Sequence, residues 1–315
     1  MMRARKVMAV HDEQTARAVA RMQQYIAEHL HQNITLAQLA HVAGYSNWHA
    51  AKVFRELTGN SPAQYIRLLR LTGAALKLRD GEDRVLEVAL QSHFETHEGF
   101  TRAFCRTFGM PPATYSRTAP PVKLFMPDSV YHAFRMLKRS ENSMDTKQFP
   151  SAVFVSTSTH PARKLMLYRG KQAEDYMTYC QEVGCDMWPV LCSVKEALYE
   201  PAGMWLPDHL IEPGTSRYVQ AVELPANYAG PVPEGFSLID LPACDYLVFR
   251  GEPFLDDEFC EAVQVLWAYI ERFDPAPMGY QWAPAAGPRI QLSPTGERGC
   301  IEALPVRALD SRPAV

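Results

Sequence analysis

Residues 93 to 115 read HFETHEGFTRAFCRTFGMPPATY, and their spacing decides how the first third of the chain folds. Phe100, Ala103, Phe104, Thr107 and Phe108 recur at i, i+3, i+4, i+7 and i+8, so they share one stripe of a helix. His97, Thr101, Arg102 and Arg106 fall outside that stripe. Thr96 suits the helix N-cap and Gly109 the left-handed residue after the last turn, so the helix is bounded at both ends. A short helix, Val85 to Gln91, precedes it across a tight turn.

Helix, short turn and capped second helix with a polar outer face form the arrangement whose second helix enters a DNA major groove, though the same outline serves an ordinary solvated hairpin. A second copy lies upstream. Thr35 and Gln38 make a capping box that opens LAQLAHVA, Gly44 supplies the turn, and Ser46 caps a helix whose Val53, Phe54 and Leu57 face inward. Gly59 ends that helix. Ser61 and Pro62 then start another, which carries Tyr65, Leu69, Thr72 and Leu76 on one side as far as about Arg79. At 1.5 Å per residue this rod is roughly 27 Å long, of the order of the ~34 Å turn of DNA once the flanking helices are added. One chain is therefore expected to read two successive major grooves. A first helix, about Asp12 to His31, turns Val19, Met22, Ile26 and Leu30 inward.

GYSNWHAAKVFRELTGNSPAQYIRLLRL, followed by residues 93 to 115, resembles the DNA-binding domain of AraC/XylS-type transcription regulators, in particular the MarA, SoxS and Rob branch. The resemblance spans about Val19 to Arg117. It implies that Trp48, Lys52, His97, Glu98, Thr101 and Arg102 reach base edges, and that Ser46, His49, Arg55, Arg67, Thr96 and Arg106 position the DNA backbone. The chemistry agrees: Arg and Lys suit guanine O6 and N7, Glu accepts from cytosine N4, and Trp gives apolar contact with a thymine methyl. The family's second turn usually carries glycine where this chain has His93, so that histidine is expected to adopt a left-handed conformation at some strain.

The chain has 315 residues and a net charge of −3, the size of two domains with ordinary globular composition. The charge is uneven: residues 1–118 hold 15 Lys+Arg against 10 Asp+Glu, a balance of +5, which leaves −8 for the rest. A basic module joined to an acidic one suits a nucleic-acid reader tethered to a part that avoids the polyanion. No run approaches a membrane span, and MMRARKVMAVHDEQ lacks a signal peptide's apolar core, so a cytoplasmic location is expected. Seven cysteines without a CxxC pair read as reduced thiols, and no metal or cofactor is called for.

Residues 119–148 read as a linker, with Pro120, Pro121 and Pro127 and a polar run from Lys138 to Lys147. Residues 149–315 contain an internal echo. LMLYRG at 165–170 returns as YLVFRG at 246–251, and RYVQAVELP at 217–225 as RGCIEALPV at 298–306, both at an offset of 81. Each half reads strand, helix, then two strands. The expected architecture is therefore two domains: an all-α one with two helix-turn-helix units on a long helix, then an α+β antiparallel sheet carrying two helices on one face.

This second part resembles the GyrI-like effector-binding domain, in which two halves enclose a groove for amphipathic or cationic compounds. That resemblance carries a last-strand carboxylate onto Glu302. Strand alternation puts Cys300, Glu302 and Leu304 on one face, matched in the first half by Val219, Ala221 and Glu223. Trp205, Tyr246, Trp267 and Trp282 can add aromatic walls with cation-π capacity. Alternatively these aromatics are core and Glu302 pairs with an arginine such as Arg289. Two further readings are a protein-interaction surface and a GyrI-like hydrolase using Glu223, Glu302 and Tyr246, although no Ser-His-Asp, Cys-His or metal pattern appears. The implied partners are duplex operator DNA, a small-molecule effector and RNA polymerase, with the chain a monomer or loose homodimer.

Overall fold

In the computed structural model the described residues are 13–81, 84–94, 96–127, 152–184, 186–255 and 258–309. They fall into two compact units, Met1–Met144 with Ser193–Lys195, and Asp145–Cys192 with Glu196–Val315. No described helix is long and apolar enough to cross a membrane.

The first unit is helical: α1 (Glu13–Glu28), α2 (Leu36–Ala43), α3 (Asn47–Thr58), α4 (Pro62–Asp80), α5 (Val85–Gln91), α6 (His97–Phe108) and α7 (Pro112–Thr118). The expected caps form. Thr35 and Gln38 close a capping box, Ser46 accepts from the His49 amide, Ser61 from Gln64 and Thr96 from Gly99. Gly44, Gly59, Gly81 and Gly109 end their helices in the left-handed region, where a Cβ would cost energy. His93 sits there too, at φ 56.

α1, α2 and α3 enclose Val19, Met22, Ile26, Leu39, Val53 and Phe54, with Tyr65 and Ile66 from the start of α4. In the second half Phe100, Phe104, Phe108 and Tyr115 are buried and stack in series, with neighbouring centroids 5.6, 4.7 and 6.4 Å apart. Each buried ring contributes roughly 2 kcal/mol. α4 buries more than the single stripe read from the sequence. Tyr65 and Thr72 are buried on it, Leu69 and Leu76 are only half-buried, and Ile66, Leu71, Ala74, Ala75 and Leu78 are buried as well. A rod shared by two subdomains has to offer each of them a face, which blurs its amphipathic period.

The helical unit also extends past 118. Phe125 packs edge-on against Tyr65, with centroids 5.1 Å apart, and its amide donates to the Thr72 hydroxyl at 2.8 Å. Residues 119–127 are thus part of this unit rather than linker; residues 128–148 lie outside the described ones.

The second unit is one antiparallel sheet with helices. In chain order it contains β1 (Val153–His160), β2 (Arg163–Arg169), α8 (Tyr176–Val183), α9 (Trp188–Leu191), β3 (Ala202–Trp205), β4 (Tyr218–Pro225), β5 (Phe236–Leu241) and β6 (Cys244–Gly251). α10 (Phe259–Arg272), β7 (Tyr280–Trp282), β8 (Arg289–Leu292) and β9 (Ile301–Ala308) complete it. The strand order is β1-β6-β9-β8-β3-β4-β2-β5, with β7 beside β9. This order is palindromic about the β8–β3 junction, because β1 lies on β6 just as β5 lies on β2. The two edge strands β1 and β5 were absent from the sequence reading, which saw three strands per half. Most of their residues are half-buried or exposed, so they carry little of the apolar pattern that marks a strand buried between neighbours.

The register corrects the sequence echo by one residue. Glu302 lies opposite Phe249 and Gln220 lies opposite Tyr168. Phe249 and Tyr168 are equivalent at an offset of 81, so Glu302 is equivalent to Gln220 at 82, and the residue at 223 falls on the other face. A shift of one residue moves every side chain across a sheet. One face packs Leu165, Leu167, Met204, Val219, Ala221 and Tyr246. The other packs α10 over Leu247, Phe249, Cys300 and Val306, and α8 over Tyr218.

Candidate functional site

On the helical unit the polar faces of α3 and α6 are open. Trp48 is 72% exposed, and the Lys52 ammonium lies 5.3 Å from its ring centroid, which holds a flat apolar surface beside a cation. His49 is half-buried edge-on to Tyr45, while Arg55 on α3 and Arg67 on α4 are exposed. On α6, His97, Glu98, Arg102 and Arg106 are exposed; the arginine heads have no carboxylate partner among the described residues, so they are available to an anion. The Ser46 and Thr96 oxygens each accept a helix amide, at 3.3 and 3.0 Å, which leaves their hydroxyl protons for another partner.

Thr101 departs from expectation. Its hydroxyl is shielded from solvent and unbonded, because at 100° per residue it lies only ~60° from Phe104 and turns toward the core. It does not belong to the outward-facing set.

The sheet unit brings three of the six expected effector residues together. Glu302 is 1% exposed. Its oxygens accept from the Trp267 indole N–H, from Gln291 Nε2 at 3.0 Å, and from Arg289 through Nε at 2.7 Å and Nη2. The Arg289 guanidinium lies 4.9 Å from the Trp205 ring and 5.6 Å from the Trp267 ring. The two rings stand nearly perpendicular, 6.5 Å apart, and Trp205 is anchored by its N–H to the Glu174 carbonyl. This is an aromatic cage with a carboxylate floor, and the chain's own Arg289 occupies it. Burial holds the Glu302 carboxyl above its ordinary range, and the pull of Arg289 and the three donors offsets only part of that. Arg289 remains one-third exposed, so its head has a route to water.

Glu223 and Tyr246 lie on the opposite face of the sheet and are corrected out of this site. Glu223 accepts from Arg163 Nε at 2.6 Å and pairs with His160 Nδ1 at 2.7 Å; Arg163 Nη2 donates to the Tyr246 hydroxyl at 2.9 Å. Burial pushes the Tyr246 hydroxyl above its ordinary range. The network is closed and packed under His160 and Tyr199, so the hydrolase grouping of Glu223, Glu302 and Tyr246 is not assembled. Trp282 packs against Phe249 and Phe273 as core, away from Glu302. Strand parity is the reason for Glu223 and Tyr246; Trp282 shares the Glu302 face but sits beside Val306, four residues further along β9.

The row of directly opposed residues Glu302, Gln291, Gly203 and Gln220 crosses β9, β8, β3 and β4. Gln220 is 2% exposed, and neither atom of its amide is hydrogen-bonded among the described residues. Burying such an amide unpaired costs about 1–3 kcal/mol. Tyr218 bends over Gly203, whose Cβ, if present, would lie 2.0 Å from its hydroxyl. The sequence reading missed Gln220, Tyr218 and Gly203; pairing the echo at 82 on the last strand would have found Gln220.

A helix-turn-helix domain model, HTH_18, matches residues 39–118. Transcriptional regulator Rob of Salmonella typhimurium is 37% identical over 108 residues, 32% of this chain and 37% of that protein, so the match spans little more than a third of that relative. Multiple antibiotic resistance protein MarA of Escherichia coli is 34% identical over 94 residues, 30% of this chain and 74% of MarA. Among solved structures, the DNA-binding domain of AdpA in complex with a target DNA is 30% identical, covers 31% of this chain and 89% of that one, and has a TM-score of 0.30.

Proposed function

This chain belongs to the AraC family of DNA-binding transcription regulators, and from that premise we propose that α3 and α6 read successive major grooves of one operator while the sheet unit senses an organic cation. The two capped recognition helices on one rigid α4 support the first part. In that reading Trp48, Lys52, His97, Glu98 and Arg102 face bases, and Ser46, His49, Arg55, Arg67, Thr96 and Arg106 hold phosphates.

The cage of Trp205, Trp267 and Glu302 carries the second part. A buried carboxylate between two indoles is built for a cation, and Arg289 fills it until an amphipathic cation displaces it. The sheet unit is then a GyrI-like sensor, in agreement with its palindromic strand order.

The DNA part is tested by selecting the operator from a random duplex library and comparing Arg102→Ala with Arg106→Ala. Arg102→Ala should cost roughly 1–3 kcal/mol and relax one base position, while Arg106→Ala weakens all sequences alike and lowers the salt slope by about 1. Identical profiles for the two variants would overturn the assignment.

A further inference from the structure

We propose that the amide of Gln220 is the second anchor of the ligand site, so that the pocket takes an elongated organic cation carrying a carboxamide or hydroxyl at the end away from its charge. The inference rests on the cation-sensing reading and adds the ligand's chemical class.

The geometry comes from the register. Glu302 and Gln220 occupy equivalent positions either side of the β8–β3 junction, on the same face, with Gln291 and Gly203 between them. Three strand spacings separate their backbones by roughly 14 Å. At one end the carboxylate meets Arg289, the Trp267 indole N–H and the Gln291 amide. At the other, Gln220 is equally buried but has no partner for its oxygen. Between them the buried Tyr218 ring and its hydroxyl lie over Gly203, in the space a side chain there would take, so a ligand spanning the two ends passes along Tyr218. A side-chain amide offers an acceptor and a donor side by side, so its complement is a group that does both. The α8-covered half therefore selects a neutral polar end group and the cage selects the charge.

The probes are octyltrimethylammonium and the same chain ending in a carboxamide, titrated calorimetrically into the full-length protein. Wild type should bind the carboxamide about tenfold more tightly, the value of one well-made hydrogen-bond pair to a buried group. Gln220→Leu should abolish that preference while leaving octyltrimethylammonium bound at least as well, and Glu302→Gln should weaken both probes alike. Leucine removes an unpaired buried amide, so the unfolding temperature should hold or rise; Gln220→Met, closer in shape, repeats the test if leucine packs poorly. Equal binding of the two probes by wild type, or a preference that survives both Gln220 variants, overturns this inference while the cage stands. Failure of both probes to bind wild type overturns the cation-sensing reading itself, and this inference with it; failure of the carboxamide alone overturns only this inference.

Discussion

Replacing Arg289 by alanine should empty the cage and make it bind an added cation more tightly. Arg289 meets Glu302 through two nitrogens, one at 2.7 Å. Unit charges about 4 Å apart at an effective dielectric near 20 attract by about 4 kcal/mol. Because Arg289 is one-third exposed and regains water when released, roughly half of that survives as a net barrier to displacement. About 2 kcal/mol corresponds to a cage open in roughly one molecule in thirty, so Arg289→Ala should raise cation affinity ten- to thirtyfold. The assay is titration with benzyltrimethylammonium, followed by indole fluorescence at fixed ionic strength near pH 8. The double variant Arg289→Ala with Glu302→Gln should lose the gain.

The stability cost has a definite sign in pH. Glu302 has a raised folded-state pKa, so its protonated form favours folding, and that contribution is lost as pH rises from the ordinary carboxylate value of 4.5 through the folded value. Without Arg289 the folded value rises further, and the loss extends toward neutrality. The melting temperature of Arg289→Ala relative to wild type should therefore fall with increasing pH. Unchanged or weaker cation binding by the variant would refute the idea that Arg289 is the cage's internal occupant.

The other predictions concern the helical unit. His93→Gly should stabilise it by about 0.5 kcal/mol, since relief of ~1–2 kcal/mol of left-handed strain is partly offset by the greater unfolded-state freedom of glycine; His93→Val should destabilise it, and thermal melts in which both variants fall would show that the ring has another role. We propose that the helical unit folds alone when it ends near residue 128. Ending it at 118 should cost about 2 kcal/mol in urea unfolding through loss of Phe125 packing and its bond to Thr72, and equal midpoints for the two fragments would place the boundary back at 118.

The helical half was legible because its determinants are local. Thr35, Ser46, Ser61 and Thr96 cap helices through amides three residues on, and Gly44, Gly59 and Gly109 end them, so short-range spacing suffices. The strain at His93 was legible for the same reason, as a turn position where a side chain occupies a glycine's conformation. Thr101 was misread because the edge of an apolar stripe is not sharp, and tertiary packing decides which way a flanking residue turns.

In the sheet, the echo of LMLYRG in YLVFRG falls on β2 and β6, which hold corresponding places in the strand order, and alternation placed Cys300, Glu302 and Leu304 together. Register is set by partners 50 to 62 residues apart in sequence, which periodicity does not report. The sequence by itself determined the capped helix-turn-helix pair and the strand face of Glu302, and it named Trp205 and Trp267 among the candidate neighbours of that carboxylate. Only the tertiary structure decided that Gln220 rather than Glu223 mirrors Glu302, and that Glu223 is consumed by Arg163 and His160. It also decided between the two readings of Glu302 by pairing it with Arg289, because opposition across strands is a long-range contact and one residue of register exchanges the faces of a sheet.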